Sequence, residues 1–124
     1  MKTKGEIEAA ICDGITHFEQ DYRGRGPKSI RAYLLDDFVV VRLKGLLSPA
    51  EQQLARIPSD TRGRDLLKQV RTHLIETAKP LLQALINDIT GVQVTSLHHD
   101  ISTVTGEAIF SFTLSECPVY RQVK

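Results

Sequence analysis

The 124 residues contain no tryptophan, one methionine, two cysteines and five prolines. Each scarcity excludes something. Two cysteines cannot build a disulfide framework, and neither Cys12 nor Cys117 belongs to a CxxC pair, so the spacing gives no support to a structural zinc site. Both are expected to be reduced thiols in a cytoplasmic protein. Apolar runs are short, as at 38–41, against the roughly 20 residues that span a bilayer, so no membrane insertion is expected. Glu6, Glu8 and Asp13 interrupt the opening turns, which does not fit a signal peptide. An excess of one charge sign is missing too. Lys and Arg total 16 against 15 Asp and Glu, a formal net charge of +1, which argues against a dedicated nucleic-acid binder.

What is present is the composition of a folded domain, with 41% hydrophobic and 25% charged residues. The length suits a single α+β domain over 1–115, with a flexible C-terminal tail at 116–124 that Pro118 interrupts. Ile7, Ile11, Ile15, Phe18 and Tyr22 recur at helical steps and predict a first helix ending near Arg23, where Gly24, Gly26 and Pro27 stop it. Glu19 is placed outside that stripe. From Ser29 the period becomes two. The alternation at 29–35, the acidic pair Asp36-Asp37 and the β-branched run at 38–44 predict a β-hairpin.

Ser48-Pro49-Ala50-Glu51 is a capping box with proline at the first helical position, and predicts a short helix ending before Pro58. A polar turn at 59–63 follows, and a longer helix begins close to Thr61. Its expected inner stripe is Leu66, Val70, Leu74, Thr77, Leu81, Leu85 and Ile89, widened by Leu67, Ala78 and Leu82. Pro80 interrupts without breaking the period, so a kinked helix ending at Gly91 is expected. A second hairpin is predicted from 92–102 and 107–114, turning at 103–106. The order is α-β-β-α-α-β-β. It leads to a two-layer sandwich, with a four-stranded antiparallel sheet formed from two β-hairpins and helices on one face. The open sheet face or an edge strand is the expected surface for a homodimer.

Chemistry concentrates in one loop. Arg23, Gly24, Arg25, Gly26, Lys28, Ser29 and Arg31 combine backbone freedom, a hydroxyl and four cations within nine residues that contain no acid. Such a loop can hold a phosphate, a carboxylate or an acidic partner surface. It is not a P-loop, because GxxxxGK[ST] is absent. The plain alternative is a helix-ending turn with solvated cations.

His98-His99-Asp100 contains metal-ligand types, but neighbouring strand residues point to opposite faces, so no metal site and no cofactor are expected. Arg62, Arg64, Lys68 and Arg71 could form a positive helical face for nucleic acid, though without interleaved aromatics. No nucleophile elbow, HExxH or Cys/His arrangement occurs, so an enzyme is not expected.

Longer blocks carry a resemblance. Arg-Gly-Pro-Lys-Ser-Ile-Arg-Ala-Tyr (25–33), Val-Val-Val-Arg-Leu-Lys-Gly (39–45) and Leu-Ser-Pro-Ala-Glu (47–51) resemble the MpsC-like family. Asp100-Ile-Ser-Thr, Thr105-Gly106 and Phe112-Thr-Leu114 extend the likeness across about 5–115. The family is bacterial and named after a sodium-translocating, membrane-potential-generating system. The resemblance implies a non-enzymatic accessory or regulatory protein of a membrane ion or inorganic-carbon uptake system, with a membrane transport subunit as its protein partner. It carries over no catalytic residue. A sensor of nucleotides or small anions through loop 23–29 is the alternative, and a nucleic-acid-binding module the second.

Overall fold

The computed structural model describes residues 1–56 and 61–122. Seven elements occur in the expected order: α1 (Lys4–Arg23), β1 (Ser29–Leu35), β2 (Phe38–Lys44), α2 (Pro49–Ala55), α3 (Arg62–Thr90), β3 (Val94–Ile101) and β4 (Ala108–Leu114). The strands form one antiparallel sheet in the order β1-β2-β4-β3, so the two hairpins meet along β2 and β4. This is the expected α+β sandwich. The part of the expected turn at 59–63 that precedes Thr61 lies outside the described residues.

Local chemistry sets the boundaries. Asp36 adopts φ 57° between β1 and β2, a conformation that aspartate tolerates well. Ser48 and Glu51 close their capping box with bonds of 3.2 and 2.8 Å. A second box, between Thr3 and Glu6, starts α1. Its T-x-x-E spacing is equally visible in the sequence but is absent from the expectations above. Gly24 and Gly91 end α1 and α3 in the left-handed region, at φ 79° and 76°. Pro80 sits within an unbroken α3 of 29 residues, on its exposed side.

The core lies between the helices and the inner sheet face. Ile11, Ile15, Val39, Val41, Leu43, Ile75, Leu82, Ile86, Phe110 and Phe112 are fully buried. Alternation along β2 and β4 falls as expected, with Val39, Val41 and Leu43 inward beside Ala108, Phe110, Phe112 and Leu114.

The long helix differs from expectation. Its inner row is Leu67, Arg71, Ile75, Ala78, Leu82, Ile86 and Thr90. Leu66, Val70 and Leu81, expected inside, are 52%, 59% and 49% exposed. The physical reason is that α3 carries two apolar rows, and the inward one is the row that joins the core cluster, with Arg71 over the Phe110 ring. Arg71 hid that row from the sequence by placing a charge in it.

Beyond Ser115 the chain runs back along the start of α1. Pro118 is buried, Tyr120 packs on the core, and the Arg121 N–H donates to the Lys2 carbonyl at 2.8 Å. These contacts reach Arg121, within the stretch expected as a flexible tail.

The edge of β1 is covered. Glu8 of α1 accepts from the Leu34 N–H at 2.8 Å, and α1 lies along the strand. Burial pushes the Cys12 thiol up, and the Ala32 N–H beside it only partly opposes that.

Candidate anion-binding cavity

A cavity of about 430 Å³ opens where the end of α1, the β2–α2 connection and the first half of α3 converge. One wall is apolar, formed by Leu47, Leu67, Val70, Leu74 and Ile101. Three arginines supply the polar side: Arg23, Arg25 and Arg71.

Two of the three are already engaged. Arg23 leaves the last turn of α1 and spans to the capping box. Its Nη1 donates to the Leu46 carbonyl at 2.9 Å and its Nη2 to Glu51 Oε1 at 2.7 Å. The same carboxylate oxygen accepts from the Ser48 N–H. Partial burial works against the ionised form of Glu51, but the Ser48 N–H and the Arg23 guanidinium outweigh it and hold the carboxyl below its ordinary value. Arg71 donates both Nη atoms to Glu19 at 2.7 Å each, with side chains 6% and 0% exposed. Its guanidinium carbon stands 5.3 Å from the centre of the Phe110 ring. A fully desolvated pair of this kind holds only because both fork bonds are made.

Arg25 is different. It is half-buried, makes no hydrogen bond or ion pair among the described residues, and its Nε is buried without a partner. A buried donor left unmade costs about 1–3 kcal/mol, so a positioned orphan marks a place where an acceptor is missing. The charges around the cavity sharpen this. Glu51 offsets Arg23 and Glu19 offsets Arg71, which leaves the single positive charge of Arg25 uncompensated.

The remaining loop residues do not join them. Gly24 caps α1, and Gly26 packs beside it, where an added Cβ would lie 3.3 Å from Thr16 Cγ2. Lys28 donates its N–H to the Lys44 carbonyl, and its side chain crosses Gly45 so closely that a Cβ there would lie 2.6 Å away. Ser29 and Arg31 enter β1 and point to the open sheet face. There they form a shallow recess of about 130 Å³ with Tyr33, Arg42 and Lys44. Arg42 is held by Glu107 at 2.9 Å, which keeps the Glu107 carboxyl below its ordinary value. Loop 23–29 and Arg31 thus serve two sites on opposite sides of the sheet.

The other candidates resolve plainly. His98 faces outward beside Ser96, 3.1 Å away, whereas His99 faces α3 and meets Glu76 at 2.9 Å. No group of three or more potential metal ligands occurs among the described residues. The expected positive helical face is dispersed. Arg71 is buried on Glu19, and Lys68 pairs with Asp100 at 3.2 Å.

Sequence reasoning missed Glu19 and Arg71. A faint signal existed, because Arg71 sits four residues from both Leu67 and Ile75 in the row that is buried. For Glu19 the neighbour Phe18 was the sole hint.

Comparison with known proteins agrees with the motif blocks. A family model described as "Na+-translocating membrane potential-generating system (MpsC)" matches residues 3–116. The chain is 41% identical to "Uncharacterized protein YbcI" of Bacillus subtilis (strain 168), covering 91% of this chain and 89% of that one. It is 28% identical to "Uncharacterized protein YrhF" of the same organism, over 81% of this chain and 80% of the relative. No solved structure matches.

Proposed function

Because the chain belongs to the MpsC family, we propose that it is a non-enzymatic, cytoplasmic accessory or regulatory module of a membrane ion-transport system, and that it recognises a small anion at Arg25. The family description supports the association with transport. No helix among the described residues is long and apolar enough to cross a membrane, which suits a module that binds to or regulates a transport subunit. Free Cys12 and Cys117 suit a reducing compartment.

The buried, partnerless Nε of Arg25 carries the reading. Guanidinium groups stay protonated and present a planar fork, so a site built from them binds and orients acceptors rather than exchanging protons. One uncompensated positive charge beside a wall of Leu47, Leu67 and Leu74 fits a monoanion with a short apolar body, such as a small monocarboxylate. Dianions meet the Glu51 carboxylate, which also lines the cavity.

Isothermal titration with a series of short monocarboxylates tests this. Arg25→Ala should weaken binding about 10- to 100-fold, the loss of one charge-assisted contact, while Arg31→Ala leaves it unchanged. Equal affinity in wild type and Arg25→Ala sinks the assignment.

The open-face recess favours a second reading, a phosphorylated ligand or nucleic acid. Tyr33 stands there, 42% exposed, among Arg31, Arg42 and Lys44, an aromatic with cations around it. Nucleotide or oligonucleotide binding that is lost in Tyr33→Ala and kept in Arg25→Ala would select that face instead.

A further inference from the structure

The outer row of α3 is more than a set of stray apolar residues. Arg62, Leu66, Val70, His73, Thr77, Leu81, Ala84 and Asp88 follow one another at steps of four, four, three, four, four, three and four. That is the spacing of a helix–helix seam, and all eight residues are exposed. Arg62 to Asp88 spans about 39 Å at ~1.5 Å per residue. Covering this row is not the business of the chain's own sheet, which packs on the opposite side of the helix.

The row also reads as its own complement when reversed. Laid antiparallel about a two-fold axis level with Ile75, it puts Leu66 opposite Ala84 of the second copy, Val70 within one residue of Leu81, and His73 opposite Thr77. Large thus meets small near the ends, and the polar pair falls at the axis. Asp88, which forms no ion pair among the described residues, comes beside the positive N-terminal end of the second copy's α3. The charge asymmetry along the helix is satisfied twice by one symmetric contact, as an isologous interface requires. Tyr22 and His17 of α1 flank Leu81 and widen the strip.

We infer that the outer face of α3 is the homodimer interface, formed by antiparallel pairing of α3 with α3 of a second copy. A strip this long and about 10 Å wide covers on the order of 800 Å² across both copies, which places the dimer among weak, concentration-dependent ones. The open sheet face and the edge strands, where the sequence led us to expect a homodimer, are not part of it.

Sedimentation equilibrium on the full chain, from micromolar to millimolar protein, tests the inference. The wild type should shift from one to two chains across that range. The double variant Leu66→Glu, Leu81→Glu should keep its circular dichroism and stay at the mass of one chain. Should that variant fail to fold, Asp88→Lys provides the same test, with a dissociation constant raised about 5-fold or more from loss of the dipole contact at each end. Tyr33→Glu, on the open sheet face, should dimerise like wild type. A wild-type mass of one chain throughout, a dimer untouched by the α3 variants, or a dimer lost in Tyr33→Glu would each overturn it.

Discussion

The two faces of α3 both carry apolar side chains and have opposite fates. On the inner face Leu67, Ile75, Ala78, Leu82 and Ile86 disappear against the sheet, with Arg71 among them. On the outer face Leu66, Val70 and Leu81 stay about half exposed. The inner row is the more apolar of the two, and it also has partners to meet. The inner row joins the core cluster that includes Ile15 of α1 and Phe110 of β4, and the one charge in it finds Glu19, so its desolvation is offset by two short bonds. Among the described residues, none buries the outer row.

Breaking the inner face should cost most. Arg71→Ala leaves Glu19 ionisable, buried and unpaired, and is expected to lower stability by about 3–5 kcal/mol in urea unfolding. Replacing the pair together, Glu19→Leu with Arg71→Met, should recover most of that loss. A double variant as unstable as Arg71→Ala alone would show that packing rather than stranded charge governs the site. Ile86→Ala removes fully buried methyl groups, with an expected cost of about 2–4 kcal/mol. Ser48→Ala removes a cap at the base of the cavity, for about 1 kcal/mol, and loosens the Glu51 carboxylate that holds Arg23.

Acid sharpens the contrast further. The folded-state pKa of Glu51 lies below its ordinary value, near 4.5, so its contribution is fully present above that pH and is lost as pH falls through the lower folded value. Below about pH 4.5, wild type should lose stability more steeply than Glu51→Gln, as read from thermal melts on a pH series. The smallest effect belongs to the outer face. Leu66→Ser should change the stability of dilute protein by no more than about 0.5 kcal/mol, since that side chain is half in water already. A drop of several kcal/mol would mean that the outer row is covered within the chain itself.

Much of the architecture was written in local signals. The alternation of Val39, Val41 and Leu43, the acidic turn at Asp36 and the capping box at Ser48 act over a few residues, and a reader of the sequence sees them whole. The inner row of α3 was only partly legible: Leu67, Ala78 and Leu82 were expected inside, Ile75 and Ile86 were not. Periodicity finds stripes, but α3 has two, and choosing between them needs Phe110 and Ile15, which lie far off in sequence. Arg71 misled in the same way, since a charge reads as surface until its partner, 52 residues away, is known. The candidate loop was half legible. Its cations suggested an anion site, yet only the fold shows that Arg23 is a strut, that Arg31 belongs to the other side of the sheet, and that Arg25 keeps a buried Nε without a partner among the described residues.

One contact has a meaning at high concentration. Sheets that end in a bare strand can recruit the next molecule, and that one the next, in growth with no stopping point. The carboxylate of Glu8, seated on the Leu34 N–H, blunts that route along β1. Crowding therefore finds no free Leu34 N–H on this strand from which such growth could start.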